Sequence, residues 1–593
     1  MKYIIAVLFA VCTLSSCSEI LETDSDRRIY NPELDQKTDS IFYMLGILKS
    51  MQQAADLYVL TNEMRGDLAT TNEKTETALR QLADYTAGKT NRYDSAYVYY
   101  RVINNCNYYI AHRDTSLRTG DRAVAMQEYA AAKAIRAWAY IQLANTFGPD
   151  VPFTTHPVVN LTDIDATERL PRLNARQIAE ALIPDLMPYA GYATPNYGTI
   201  NAGRTNSGRA KSVPSAQTMI PVDVMLGDLH LIANQYEQAA KAYFRYLASN
   251  GLNSQAYSAY SNTAANDHNT LLPKDFSAAI GTSWHNIFLI TNPYDIVTMI
   301  PMAVNRLNGT TTSLPKLFGY DFYSTASSDS SLIASSLFTP SREIEPSESY
   351  RTLVADQDYY YTPTTATNEN IVQATQIGDM RYCQQLMKSV NSSPGYLVGI
   401  KFSGANIPLY RVSTVWLRFA EAVNRMGYPD LAFAVLKDGI GSDLLNADYL
   451  SESTIRLIRT GDLPFLSSTY VNRFRTAFGI HHHGSGKTEG NYSPYRYSDI
   501  VGKKLKEIAT VYGIRIGQTK ADTINAVEDL ICDEYALETS FEENRFSDLL
   551  RLWSHKQDDN TYTSNWGTAW LNRKLSLAKG IEVTENKWFI LFN

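Results

Sequence analysis

Cysteine is scarce, five in 593 residues, too few for a disulfide scaffold. A basic excess is also missing. Lysine and arginine total 54 against 61 acids, so the formal charge is −7, which argues against a general nucleic-acid binder. Beyond the N-terminal segment no stretch approaches about 18 uninterrupted apolar residues, so no later helix spans a membrane. Charged residues are only 19% and hydrophobic ones 44%, which excludes a disordered chain. At about 150 residues per domain the length suggests roughly four domains' worth of chain, or one large fold. Tyrosine is abundant, 40 residues beside 7 tryptophans. That is more amphipathic ring than a core requires, so part of it belongs on a binding surface.

The first residues read MKYIIAVLFAVCTLSSC. Lys2 supplies a short positive region, and Tyr3 to Leu14 an apolar run too short for a bilayer and suited to a secretory signal. Leu14-Ser15-Ser16-Cys17 resembles a bacterial lipobox, in which the cysteine is acylated (palmitate among the acyl groups) and becomes the mature N-terminus. An ordinary secretory signal with a chance cysteine is the alternative, and Cys12 fits the pattern less well. Several acyl chains at about 0.8 kcal/mol per CH₂ anchor a water-soluble protein to a membrane. Ser18 to Asn31, with Glu19, Glu22, Asp24 and Asp26, reads as a polar tether suited to outer-membrane display. Cys106, Cys383 and Cys532 are far apart and suit buried thiols.

Helical periodicity marks Tyr93 to His112, Asp121 to Phe147, Val222 to Ser249, Val412 to Lys437 and Thr523 to Trp553. Gly148-Pro149 ends the second of these. The stretch from Gly251 to Tyr410, rich in Ser, Thr, Asn, Gly and Tyr, predicts loops and short strands. Two helical pairs share a tetratricopeptide-like spacing. In one, Leu226-Gly227 precedes Ala239 and Tyr243. In the other, Trp416, Phe419 and Ala420 precede Ala432 and Leu436. Turns at Asn234-Gln235 and Gly427-Tyr428-Pro429 fit helix hairpins. Their wide separation in sequence argues against a conventional solenoid, and two unrelated hairpins are the alternative.

Together these segments resemble the SusD/RagB outer-membrane lipoproteins of Bacteroidota over nearly the whole chain. Ile103 and Asn107 match the family's aromatic helix ending in I-x-x-x-N, with Tyr in place of the frequent Trp. Glu128 to Phe153 is similar to its E-A-x-F-L-R-A…F-G-D-V-P signature through Arg136, Ala137, Tyr140, Leu143, Phe147, Gly148, Val151 and Pro152, with Pro149 inserted. Gly378-Asp379-Met380-Arg381 resembles a D-x-R element. Lys401-Phe402, Pro408 to Arg411 and Ala420-Glu421-Ala422 resemble K-[YF]…P-x-x-R…A-E-A. Val471 to Arg475 resembles the late R-V-N-x-x-R segment. Glu538, Phe541, Glu542, Arg545, Phe546, Asp548, Leu549, Arg551 and Trp553 match the last motif, with Glu543 and Asn544 where Gly is usual.

The resemblance implies a mainly α SusD-like fold, with tetratricopeptide-like hairpins as scaffold and an irregular loop-rich ligand region. It implies a signal peptide over 1–16, a lipidated tether over 17–31, helical regions over 32–250 and 411–593, and the ligand region over 251–410. The implied role is capture of nutrient oligomers at the cell exterior and delivery to a SusC-like TonB-dependent transporter. Glycans are the expected ligand. Peptide capture, or a scaffold without small ligand, are alternatives. No cofactor, metal or covalent chemistry is implied.

Carboxylates that pair could signal a glycosidase. Glu538 and Glu542 are four apart on one predicted helix face, near Arg545 and Asp548, a pattern that equally stabilises helices. Arg136 and Arg411 read as interior ion-pair partners. His481-His482-His483 lacks further strong metal ligands nearby. Gly484 to Thr488 looks like part of a phosphate loop, but His481 occupies the required first glycine. A solvated loop is expected there. Tyrosine and tryptophan faces stack on the C–H faces of sugars, while Asn, Asp and Arg bond hydroxyls. Candidate ligand residues are therefore Asn72 and Arg80, within Asp67 to Tyr85, and Trp284, Tyr294, Arg306, Tyr320 and Tyr323. Glu73, Asn305, Phe318 and Phe322 belong to the same two regions. Tyr359-Tyr360-Tyr361 is a further candidate for ligand or transporter.

Overall fold

The computed structural model describes residues 40–590, except 120–121, 124, 161, 164–168, 205–209, 253–294, 304–308, 320–341, 363–369, 375–377, 383–385, 389–396, 400, 402–405, 462, 464, 473, 475–476 and 543. Cys17 lies outside these residues, and so do Trp284, Tyr294, Arg306, Tyr320 and Tyr323. The described chain is mainly α. Its long helices are α1 (Ser40–Arg65), α2 (Tyr97–His112), α3 (Met126–Phe147), α4 (Ala175–Leu186), α5 (Val222–Ile232) and α6 (Tyr236–Ser249). They continue with α7 (Val412–Arg425), α8 (Pro429–Lys437), α9 (Tyr497–Tyr512), α10 (Lys520–Glu538), α11 (Arg545–Asp559) and α12 (Trp566–Lys579).

Each end has a local cause. Gly148 adopts φ +96° and its N–H closes on Ala144 O at 3.0 Å, ending α3. The inserted Pro149 is accommodated, because Val151 still pairs with Leu173. Asn174 and Gln177 form a reciprocal cap on α4, and Thr519 and Asp522 do the same on α10. Helix α3 is buried on nearly every side, which is why its alanines sit on all faces.

The two periodic stretches expected as hairpins are hairpins. Helices α5 and α6 turn at Asn234, φ +57°, and α7 and α8 turn at Gly427, φ +92°. Gly227 lies where α5 crosses α6, and a Cβ there would run into the Tyr243 ring. Although far apart in sequence, the hairpins are neighbours in space. Phe244 on α6 meets Trp416 and Phe419 on α7 with ring centroids 6.4 and 5.6 Å apart. The last predicted helical stretch is likewise two helices, α10 and α11, broken at Thr539–Asn544, where Phe541 takes φ +63°. Helices α1, α4, α9 and α12 lie within the regions expected to be helical, but no periodic stretch marks them.

Between α6 and α7 the described residues form short strands and turns, as the composition predicts, with two short helices among them, Leu314–Leu317 and Glu348–Ala355. All sheets among the described residues are two-stranded. Two of these strand pairs bear on the site: Ala69–Thr71 with Ile344–Pro346, and Ile407–Arg411 with Ile296–Ile300, both antiparallel. Cys106 and Cys532 are buried free thiols.

Candidate functional site

Motif residues scattered along the sequence meet in one buried ionic network. Arg411 ends the strand Ile407–Arg411 and is fully inside. Its Nη1 donates to Asp295 at 2.5 Å and to Glu538 at 3.0 Å, and its Nε to Glu542 at 2.7 Å. Arg381 donates to Asp379 at 2.7 Å, Glu534 at 2.6 Å and Glu538 at 2.8 Å. Lys401 bonds Glu542 and donates to the carbonyls of Glu538 and Ser540 at 3.1 and 3.0 Å. The N-terminal motifs meet in the same way. Arg136 donates to Asn107 at 2.8 Å and pairs with Asp185.

Helix α10 is the acidic spine of this interior. Besides Glu534 and Glu538 it carries Glu528, held by Arg425 and Lys556, and Asp533, held by Lys504. Buried carboxylates survive only with such partners. Burial alone would push the Glu538 carboxyl up, but His483 and Arg411 hold it well below its ordinary value. Burial pushes Asp295 up despite Arg411, and pushes the Lys401 ammonium down despite Glu542.

This geometry corrects the reading of residues 481–488 as a solvated loop. His481 and His483 are buried, with Nδ1 atoms 2.7 Å from Glu534 and 3.2 Å from Glu538. His482 meets Glu489 at 2.8 Å. Gly484 lies so close to the Asp379 carboxylate that a Cβ would collide with it. A phosphate would be repelled there. Acids spaced four apart on α10 draw the histidines inward, and the sequence around the histidines carries no sign of that. Glu538 and Glu542 are each engaged by Arg411 and closed off from solvent, and Glu542 lies beyond the helix end.

The surface around Asn72 and Arg80 is organised differently. Arg80 Nη2 donates to Asn72 O at 2.7 Å, so the structure brings these two candidates together. Asn72 Nδ2 donates to Glu345 at 3.0 Å and to Arg342 O at 3.1 Å, tying the loop to the neighbouring strand. Burial raises the Glu345 carboxyl, yet Asn72 and Arg342 hold it below its ordinary value. Glu76 N–H donates to Glu343 at 2.9 Å, and the Glu76 carboxylate pairs with Arg92 and accepts from Tyr93 OH at 3.1 Å. Just beyond, Tyr97 opens α2 with 62% of its surface exposed, and the Arg101 guanidinium lies 5.5 Å from its ring centroid. Glu73 is also exposed.

Sequence reasoning missed Arg92 and Tyr97. The available signal was a tyrosine at the start of an aromatic-rich helix. Other aromatic candidates turn inward. Phe318 is buried with its ring 5.6 Å from Phe541. Tyr359 and Tyr360 are buried, and Tyr360 packs 5.9 Å from Tyr495. Asp67 is an interior partner of Arg545 at 2.5 Å.

The class defined by this fold is a mainly helical protein with a buried ionic interior and an exposed tyrosine, Tyr97, at the start of α2. No protein-family model matches the chain, and neither does any curated protein. Solved structures do match it over most of its length. A SusD superfamily protein from Bacteroides thetaiotaomicron is 15% identical, covering 86% of this chain and 88% of that one, with a TM-score of 0.48. Surface glycan-binding protein A from Bacteroides fluxus is 12% identical, covering 93% and 94%, with a TM-score of 0.49. A laminarin binding SusD-like protein is 13% identical, covering 94% and 95%, with a TM-score of 0.46.

Proposed function

We propose that this chain is a SusD-like lipoprotein of the outer membrane, anchored through Cys17. It captures nutrient oligosaccharides at the cell exterior and passes them to a SusC-like TonB-dependent transporter. The carrying observation is the convergence of the motif residues. Asp379, Arg381, Lys401, Arg411, Glu538 and Glu542 come from separate segments and bond one another. Chance motif matches would have no reason to meet. The motifs are therefore the framework of one fold, and the fold's role comes with the resemblance.

Binding without catalysis suits the chemistry. The paired acids of the last motif are locked in ion pairs, which keeps them from acting as a general acid and base. Asn72, Arg80 and Tyr97 are proposed as ligand contacts, since amide, guanidinium and ring are the groups that recognise hydroxyls and C–H faces. Trp284, Tyr294, Arg306, Tyr320 and Tyr323 are proposed to complete the set. The ligand region is proposed to span 251–410.

The test is co-purification from outer membranes with and without Cys17→Ala. The intact lipoprotein should bring a TonB-dependent barrel with it and retain added polysaccharide. Retention of the barrel with no saccharide bound would favour the scaffold role, and a peptide in its place would favour peptide capture.

A further inference from the structure

A cleft of about 370 Å³ opens between α3, α5 and α11. None of the residues of the Asn72–Arg80 face lines it. Its rim carries Pro149, Glu585 and the Arg176–Asp558 ion pair at 2.6 Å. Ligand sites run from about 300 to 1,000 Å³, so this one suits a single small molecule and not a polymer.

The lining mixes apolar groups (Ile141, Met225, Leu550 and the rings of Trp138 and Trp553) with polar ones (Gln142, Asn145, Ser547 and Arg418). The Gln142 amide accepts a long bond from Ser547 at 3.4 Å, and its nitrogen bonds no described residue. Gln142 is 6% exposed and Asn145 9%, and the Asn145 side-chain amide bonds no described residue either. A buried donor left unpaired is costly, and a ligand oxygen would relieve it.

The charges choose the ligand class. Asp228 already accepts from Tyr243 at 2.6 Å and from Tyr410 and Arg418 at 2.5 Å. Arg551 is committed to Glu421 at 2.8 Å and to Asp548 at 2.6 Å. An incoming carboxylate would face Asp228, and an incoming ammonium would face Arg418 and Arg551. Neither sign of ion is favoured. Side-chain amides both give and accept hydrogen bonds, as hydroxyl groups do.

We infer that this cleft is a second ligand site, taking one neutral polyol the size of a pyranose ring. Its hydroxyls meet the Gln142 and Asn145 amides, and its C–H groups meet the apolar lining residues. The site is independent of the surface reading, since it is built from the helical scaffold.

The test titrates glucose, galactose, mannose and N-acetylglucosamine into the full chain in detergent, with cyclohexanol as an apolar control. Saturation-transfer NMR and tryptophan fluorescence report binding. Two variants locate it. Gln142→Met removes the amide at similar size, and Ser554→Trp narrows the mouth from a half-buried position if the first variant misfolds. At least one pyranose should bind, Gln142→Met should weaken it about tenfold, and Ser554→Trp should abolish it. Polysaccharide binding, measured on the same samples, should be unchanged. No pyranose binding, binding of cyclohexanol alone, or pyranose binding untouched by Ser554→Trp would overturn the assignment. Loss of polysaccharide binding with pyranose binding intact would instead count against the surface reading.

Discussion

Arg411 gathers Asp295, Glu538 and Glu542 around one guanidinium. Removing its charge leaves Asp295 buried without its cation and takes one of the cations from each of Glu538 and Glu542, so Arg411→Met should cost about 3–5 kcal/mol. The shift in denaturant midpoint measures this, and a change below about 1 kcal/mol would deny the network its role. The network also sets an acid limit. Burial would raise Glu538, but His483 and Arg411 hold it well below 4.5. Glu534 is lowered too, by Arg381 and His481 against burial. A carboxyl depressed on folding contributes stability that is full above its unfolded pKa and is lost as pH falls through its folded one. The denaturant midpoint should therefore hold above about pH 4.5 and drop below it. A midpoint that rose on acidification would contradict the pairing. Of these residues, the sequence showed Arg136 and Arg411 as interior partners, because arginine beside motif acids rarely serves solvent. It did not show His481 or His483. Their partners lie on α10, and a polar run of His and Gly looks the same whether or not acids face it.

At the level of elements, the small residue at a helix crossing is decisive. A Cβ at Gly227 would strike the Tyr243 ring, whose hydroxyl is held by Asp228 and cannot swing away freely. Gly227→Ala should destabilise by about 1–3 kcal/mol, despite the better helix propensity of alanine. A thermal melt decides the sign, and a gain in stability would mean that α5 and α6 can slide apart. Both hairpins were readable, since Gly227, Ala239, Ala420 and Ala432 fall at helical spacing and the turns carry Asn and Gly. Their direct packing was not. It rests on Phe244 meeting Trp416 and Phe419, and periodicity says nothing about which distant face a helix meets. Helix α1 escaped notice because its buried face mixes Ser50, Thr61, Asn62 and Glu63 with apolar residues, which blurs a 3.6-residue pattern.

For the whole molecule, the proposed function needs a lipid anchor, a scaffold and a capture face together. Replacing Cys17 with Ala should move the protein from the membrane to the soluble fraction while its fold persists. Fractionation with circular dichroism checks both, and continued membrane retention would point to another anchor. Part of the proposed capture face was readable by residue type. Asn72 and Arg80 stood out by type and do meet, whereas Tyr97 needed the structure to show that its ring is outside. The aromatic positions Phe318, Tyr359 and Tyr360 show the opposite error, since ring content alone does not separate surface from core. Calorimetry tests the central claim most directly, with the mature chain titrated against oligosaccharides and mixed peptides, alone and with Tyr97→Ala. A saccharide should bind unchanged in structure and bind the variant about three- to tenfold more weakly, the worth of one ring contact. A peptide ligand, or hydrolysis of the saccharide during the titration, would contradict the claim.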